Sequence, residues 1–160
     1  MFSSSIARTV RPHLHPDEVV LAAVVAQPAG ASAQVMAHAV GTATAAARAG
    51  ERGWAAHETA QVAAAQAGIG LDRRMVIAVT TERLLVLRAG GVLTVTARTL
   101  VGSCPVEDVD GIDVAPGRRT QAVTLRVLGS AVEVETARGR HAEALPAALE
   151  RAQARARILA

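Results

Sequence analysis

Glu18-Val19-Val20-Leu21-Ala22-Ala23-Val24-Val25-Ala26 and Arg74-Met75-Val76-Ile77-Ala78-Val79-Thr80 are the two apolar, β-branched runs from which the rest of the chain is placed. Each is short, rich in valine and bounded by turn residues, which is the signature of a buried strand. Between them lie residues 29–67, where close to half of the positions are alanine. A connection longer than about 12–15 residues inside a compact domain is usually functional or disordered. This one is too apolar and too helix-prone to be a disordered linker. Gln27-Pro28-Ala29-Gly30 reads as a breaker, and Ser32 as the N-cap of a helix to Ala49. Gly50-Glu51-Arg52-Gly53 reads as a turn, Trp54 to Ala67 as a second helix, and Gly68-Ile69-Gly70 as its stop. The expected product is an inserted αα-hairpin over residues 29–70.

Working outward, the chain after the insert alternates strands with turns. Met75 to Thr80 and Leu84 to Arg88 flank Thr81-Glu82-Arg83. Gly90-Gly91 leads into a strand over Val92 to Leu100, and Gly102-Ser103-Cys104-Pro105 breaks it. Val109 to Ala115, Val123 to Leu128 and Val132 to Thr136 follow, the last two with the apolar–polar alternation of half-buried strands. With the strand before the insert this makes seven. A helix over 141–159 closes the chain, with Leu145, Leu149, Ala152, Ala156 and Leu159 on one stripe. Pro146 fits that helix only within its first turn. Residues 1–13 read as a flexible arm, and 14–160 as a single domain.

Seven strands and then an amphipathic helix is the element order of a pleckstrin-homology-like (PH-like) barrel. Leu14-His15-Pro16-Asp17-Glu18-Val19 resembles the opening turn of bacterial PH-like domains, where an acidic residue follows a Pro/Gly turn into the first strand. Val79-Thr80-Thr81-Glu82-Arg83-Leu84-Leu85 resembles their second hairpin, a threonine followed by a charged turn and an arginine. Pro105-Val106-Glu107-Asp108-Val109 resembles the acidic run into the fifth strand. The resemblance implies a mainly β fold, a seven-stranded antiparallel barrel or sandwich with a C-terminal helix. It also implies a non-enzymatic module, often self-associating in bacteria. The helical insert stands where that family has a short first hairpin loop, its usual lipid-headgroup site.

Composition narrows the function classes. Phe2 and Trp54 are the only aromatics among 160 residues, so base-stacking platforms for single-stranded nucleic acid are disfavoured. All seventeen basic side chains are arginine, and the net charge is only +3. The high pI of about 10.8 therefore reflects missing lysine rather than the charge density of a nucleic-acid binder. Cys104 is alone, which fits a reducing compartment. The N-terminus lacks the apolar core of a secretory signal, so the expected location is cytoplasmic, or peripheral to a membrane.

The sequence shows no catalytic set and implies no cofactor. His13-x-His15-x-Asp17 places two imidazoles and a carboxylate on alternate positions but has no second ligand cluster. Glu107, Asp108, Asp110 and Asp113 miss the calcium-loop register. Cys104 has no histidine near it in sequence. Arg73, Arg74, Arg83, Arg118 and Arg119 sit at strand ends or turns and are candidate contacts for phosphate or anionic lipid. Spanning a membrane is disfavoured, since a hairpin would carry Arg48, Glu51 and Arg52 across at about 2.5–3.5 kcal/mol each.

The expected function is a non-catalytic binding or scaffold module that self-associates through the insert. A buried methyl contributes only about 0.8 kcal/mol, so an alanine hairpin needs something to lean on. The candidate face is Val35, Met36, Ala39, Val40, Ala43, Ala46, Ala56, Ala60, Ala63 and Ala67. The expected partner is a second copy, with another protein or an anionic membrane as further partners. The alternatives are a peripheral adaptor on anionic lipid, using the arginines and the apolar hairpin, and a barrel that binds or converts a small molecule.

Overall fold

The structure, a computed structural model, describes residues 4–31, 44–91 and 94–160. Among the described residues it is mainly β: seven antiparallel strands in one sheet, with three α-helices. The strands are β1 (Val20–Pro28), β2 (Met75–Thr80), β3 (Arg83–Gly90), β4 (Thr96–Pro105), β5 (Val109–Ala115), β6 (Thr120–Val127) and β7 (Ser130–Ala137). The helices are α1 (Ser4–Val10), α2 (Thr44–Gln66) and α3 (Arg140–Leu159).

The strand order is β4-β3-β2-β1-β7-β6-β5. β1 pairs with β2 from Val20 to Ala26, and then with β7 only from Ala26 to Pro28. Its first half is thus left open on the β7 side, and α3 packs there against β1, β2 and β5. The sheet is open, with β4 and β5 as edges, so the expected closed barrel is corrected. One core joins both halves, from Val24, Ile77 and Val86 to Ile112, Val123 and Val132, with Leu145, Leu149 and Ala152 of α3.

The last helix differs from expectation at two residues. Pro146 lies inside α3 rather than in its first turn, and Leu159 of the expected stripe is exposed. An interior proline costs about 3 kcal/mol. The buried stripe Ala142, Leu145, Ala148, Leu149 and Ala152 holds the helix in place.

The expected arm over residues 1–13 contains α1. Val10 is fully buried, and with Ile6 and Leu14 it covers the outer face of the sheet at Ala23, Val76, Ala78, Leu85 and Leu87. The strand expected at Val92 to Leu100 is displaced to Thr96–Pro105. It runs through Gly102, whose missing side chain lets Ile69 approach; a Cβ there would stand 3.2 Å from Ile69.

The expected turn at Gly50-Glu51-Arg52-Gly53 is also corrected, since α2 runs straight through it. Each interior glycine costs about 1 kcal/mol against alanine, less than breaking a helix whose flanks are alanine-rich. Gly53 has a packing role instead. A Cβ on Gly30 would lie 2.1 Å from the Gly53 carbonyl oxygen, so two glycines bring the end of β1 against α2. The helix then stops where expected: Gly68 takes φ +68°, and the Ile69 amide donates to the Ala64 carbonyl at 2.8 Å.

Candidate functional site

Two of the segments quoted from the sequence, Leu14–Val19 and Val79–Leu85, meet at one buried carboxylate. The Glu18 side chain is fully buried where the 14–19 turn enters β1, and Arg83 reaches it from the start of β3. Arg83 Nη2 donates to Oε2 at 2.6 Å and Nε to Oε1 at 3.1 Å, a bidentate fork. The Thr80 hydroxyl donates to Oε1 at 2.6 Å and accepts from the amides of Glu82 and Arg83 at 3.2 and 2.8 Å. The His15 amide donates to Oε2 at 2.8 Å. Alongside, the Val19 amide donates to Thr81 Oγ1 and the Thr81 amide to the Val19 carbonyl, at 3.1 and 2.9 Å. Burial alone would push the Glu18 carboxyl up. The hydrogen bonds from Arg83, Thr80 and His15, with the Arg83 charge, outweigh it and hold the carboxyl below its ordinary value.

His15, Glu18 and Glu82 bring ligand atoms within 4.8 Å of one another, and His15 Nδ1 lies 3.1 Å from Glu82 Oε2. They do not form a ready metal site. Both Glu18 oxygens already accept two donors each, which uses the lone pairs of an ionised carboxylate. A cation would have to displace Arg83. The His13/His15/Asp17 set of the sequence does not converge either: His13 contributes its carbonyl to Arg83 Nη2 at 3.3 Å. The cluster is a structural clasp.

The five arginines expected at the rim separate into three places. Arg83 belongs to the clasp. Arg118 and Arg119 are exposed on the β5–β6 turn, in the other half of the sheet. Arg73 and Arg74 precede β2, which parts them from Arg83 by about 20 Å at about 3.3 Å per residue.

Arg73 and Arg74 are joined by two arginines that sequence reading missed. Arg74 Nη1 donates to the Gly91 carbonyl at 2.9 Å, and the Arg74 carbonyl accepts from the Ala89 amide at 2.9 Å. Arg98 lies across Gly90, where any Cβ would overlap its guanidinium. Arg88, paired in register with Met75, forms an ion pair with Asp72, and that guanidinium holds the Asp72 carboxyl below its ordinary value. Among the described residues this is the one ion pair of the group. Four guanidiniums against one carboxylate leave a local surplus of three positive charges. The β2–β3 register was the signal that could have located Arg88.

The alanine face is divided. Val35, Met36, Ala39, Val40 and Ala43 lie outside the described residues, as do positions 32–43 of the expected first helix, Ser32 to Ala49. Ala46 falls within α2. Ala60 and Ala67 are buried together with Ala64, and Ala63 is half-buried, all within the chain's own fold, where α2 packs on β7 and β1. Ala56 is exposed, and Val62 is 54% exposed. Cys104 is buried, which, with Asp108 and Asp110 nearby, pushes its thiol pKa up. Among the described residues no helix is long and apolar enough to cross a membrane.

Comparison with protein-family models, curated proteins and solved structures finds no match to this chain.

Proposed function

We propose that this chain is a non-catalytic binding module on a PH-like scaffold, and that it docks on anionic membrane surfaces through Arg73, Arg74, Arg88 and Arg98. The observation that carries the reading is the grouping of these arginines at one end of the sheet with one carboxylate: Arg74 donates to the Gly91 carbonyl, Arg98 lies across Gly90, Arg88 pairs with Asp72, and Arg73 follows Asp72 directly in the chain. Each arginine near an anionic lipid surface contributes about 1 kcal/mol.

Support for the PH-like scaffold is the element order and the meeting of the Glu18 and Thr80–Arg83 segments in one clasp. The test of docking is flotation with vesicles containing phosphatidylglycerol. Binding is expected at low salt and is weakened as salt screens the charges; absence of binding at low salt contradicts the proposal.

Self-association through α2 is the second reading. Its support is the outward flank at Ala56 and Val62. Light scattering of the intact chain tests it, with a dimer or larger assembly expected and a monomer counting against it.

A further inference from the structure

We propose that the groove between α1 and the start of β1 is a docking site for an acidic, aliphatic peptide segment of another protein. The groove has a volume of about 430 Å³, within the range of ligand sites. Its floor is aliphatic, from Ala7, Leu14, Val19 and Val20, and Arg8 and Arg11 line it as well. Val19, 53% exposed, is a large apolar side chain left open to an occupant. This groove is separate from the Arg73/Arg74 group, since it borders Glu18 at the far end of β2.

The charges are available. Arg8 and Arg11 are exposed, and among the described residues neither forms an ion pair. The neighbouring Glu18 carboxylate is committed to Arg83 and Thr80, so it does not neutralise them. Three residues apart across the end of α1, the two side chains are neighbours on one face. Two adjacent guanidiniums call for two carboxylates, each held by charge-assisted hydrogen bonds. A peptide with repeated acidic residues supplies that pair, and its aliphatic side chains suit the floor; a single-headed amphiphile supplies one carboxylate. The chain's own acidic run is not free to fill the groove in a second copy. Val106 and Val109 are buried, Asp110 accepts from the Gly129 amide at 2.9 Å, and Asp113 pairs with Arg126 at 2.7 Å.

The experiment is fluorescence anisotropy of a labelled (Glu-Leu)4 peptide titrated with the full chain, with (Glu-Ser)4 and (Lys-Leu)4 as controls. (Glu-Leu)4 is expected to bind more tightly than either control. Arg8→Glu with Arg11→Glu lowers its affinity at least tenfold, and Arg8→Gln with Arg11→Gln gives a smaller loss in the same direction. Val19→Ser lowers it about threefold, while Arg73→Glu with Arg74→Glu leaves it within twofold. Circular dichroism of each variant checks that the fold is kept, and the two neutral substitutions serve if the charge reversal disturbs it. The proposal is overturned if no peptide binds, if (Glu-Ser)4 binds as well, or if the Arg8/Arg11 variants bind undiminished. It is also overturned if dodecanoate displaces the peptide, which assigns the groove to an amphiphile. A dimer that the Arg8/Arg11 variants dissociate would assign it to a second copy and overturn it equally.

Discussion

Arg83 closes its guanidinium fork on the fully buried carboxylate of Glu18, with Nη2 2.6 Å from Oε2 and Nε 3.1 Å from Oε1. The two residues are 65 positions apart in sequence, one at the entry to β1 and the other at the start of β3. The contact therefore fixes the first turn of the domain against its second hairpin.

Removing one partner strands the other. Arg83→Met leaves a carboxylate without its counter-charge and is expected to cost about 3–5 kcal/mol. Glu18→Gln with Arg83→Met removes both charges and loses less than the single changes sum to. Urea denaturation of the four chains in a double-mutant cycle is expected to give a coupling energy of about 1–3 kcal/mol. Additive losses would mean that the pair is not coupled.

The same carboxylate sets an acid dependence. Burial acts to raise the Glu18 pKa, but the donors around it bring the folded value below the unfolded one. Such a group contributes stability that is complete above the unfolded pKa and is lost as pH falls through the folded value. The urea midpoint is expected to hold above about pH 5 and to decline below about pH 4.3, the ordinary glutamate value. Glu18→Gln should flatten part of that decline. An equal acid slope in the variant would show that other carboxylates set it.

Two glycines with positive φ separate backbone strain from close packing. Gly68, at φ +68°, has open space where a Cβ would stand. Gly68→Ala is expected to cost about 1–2 kcal/mol, the left-handed backbone alone. Gly30, at φ +81°, faces the Gly53 backbone, so Gly30→Ala must also push α2 away from β1. A loss above about 3 kcal/mol is expected from the two effects together. Equal losses for the two variants, measured by urea denaturation, would place α2 away from Gly30.

The legible part of the sequence was what depends on local pattern. Apolar runs located β1 and β2, alternation located β6 and β7, and Gly68 stopped α2 where expected. Distant contacts were not legible. Gly50 and Gly53 read as a turn because local preference cannot see Gly30 packing against Gly53. Gly102 to Pro105 read as a break because the pairing of Leu84 with Cys104 and Val86 with Gly102 lies outside any short window. Residues 1–13 read as a flexible arm because their apolar residues are few, yet Ile6 and Val10 suffice to anchor one short helix on the sheet. Glu18 and Arg83 each belong to a quoted segment, but only the folded turn shows that one neutralises the other. Arg88 and Arg98 join Arg73 and Arg74 through strand register, which an arginine's place in sequence does not disclose.

The measurement that addresses the docking surface most directly compares the native chain with Arg73→Glu/Arg74→Glu in phosphatidylglycerol vesicle flotation at low ionic strength. Losing two favourable charges alone removes about 2 kcal/mol, roughly a 30-fold fall in vesicle affinity, and the added repulsion deepens it. Arg118→Glu/Arg119→Glu, on the remote turn, is expected to float nearly as well as the native chain. Equal flotation of all three proteins would contradict a docking role for the four-arginine end of the sheet.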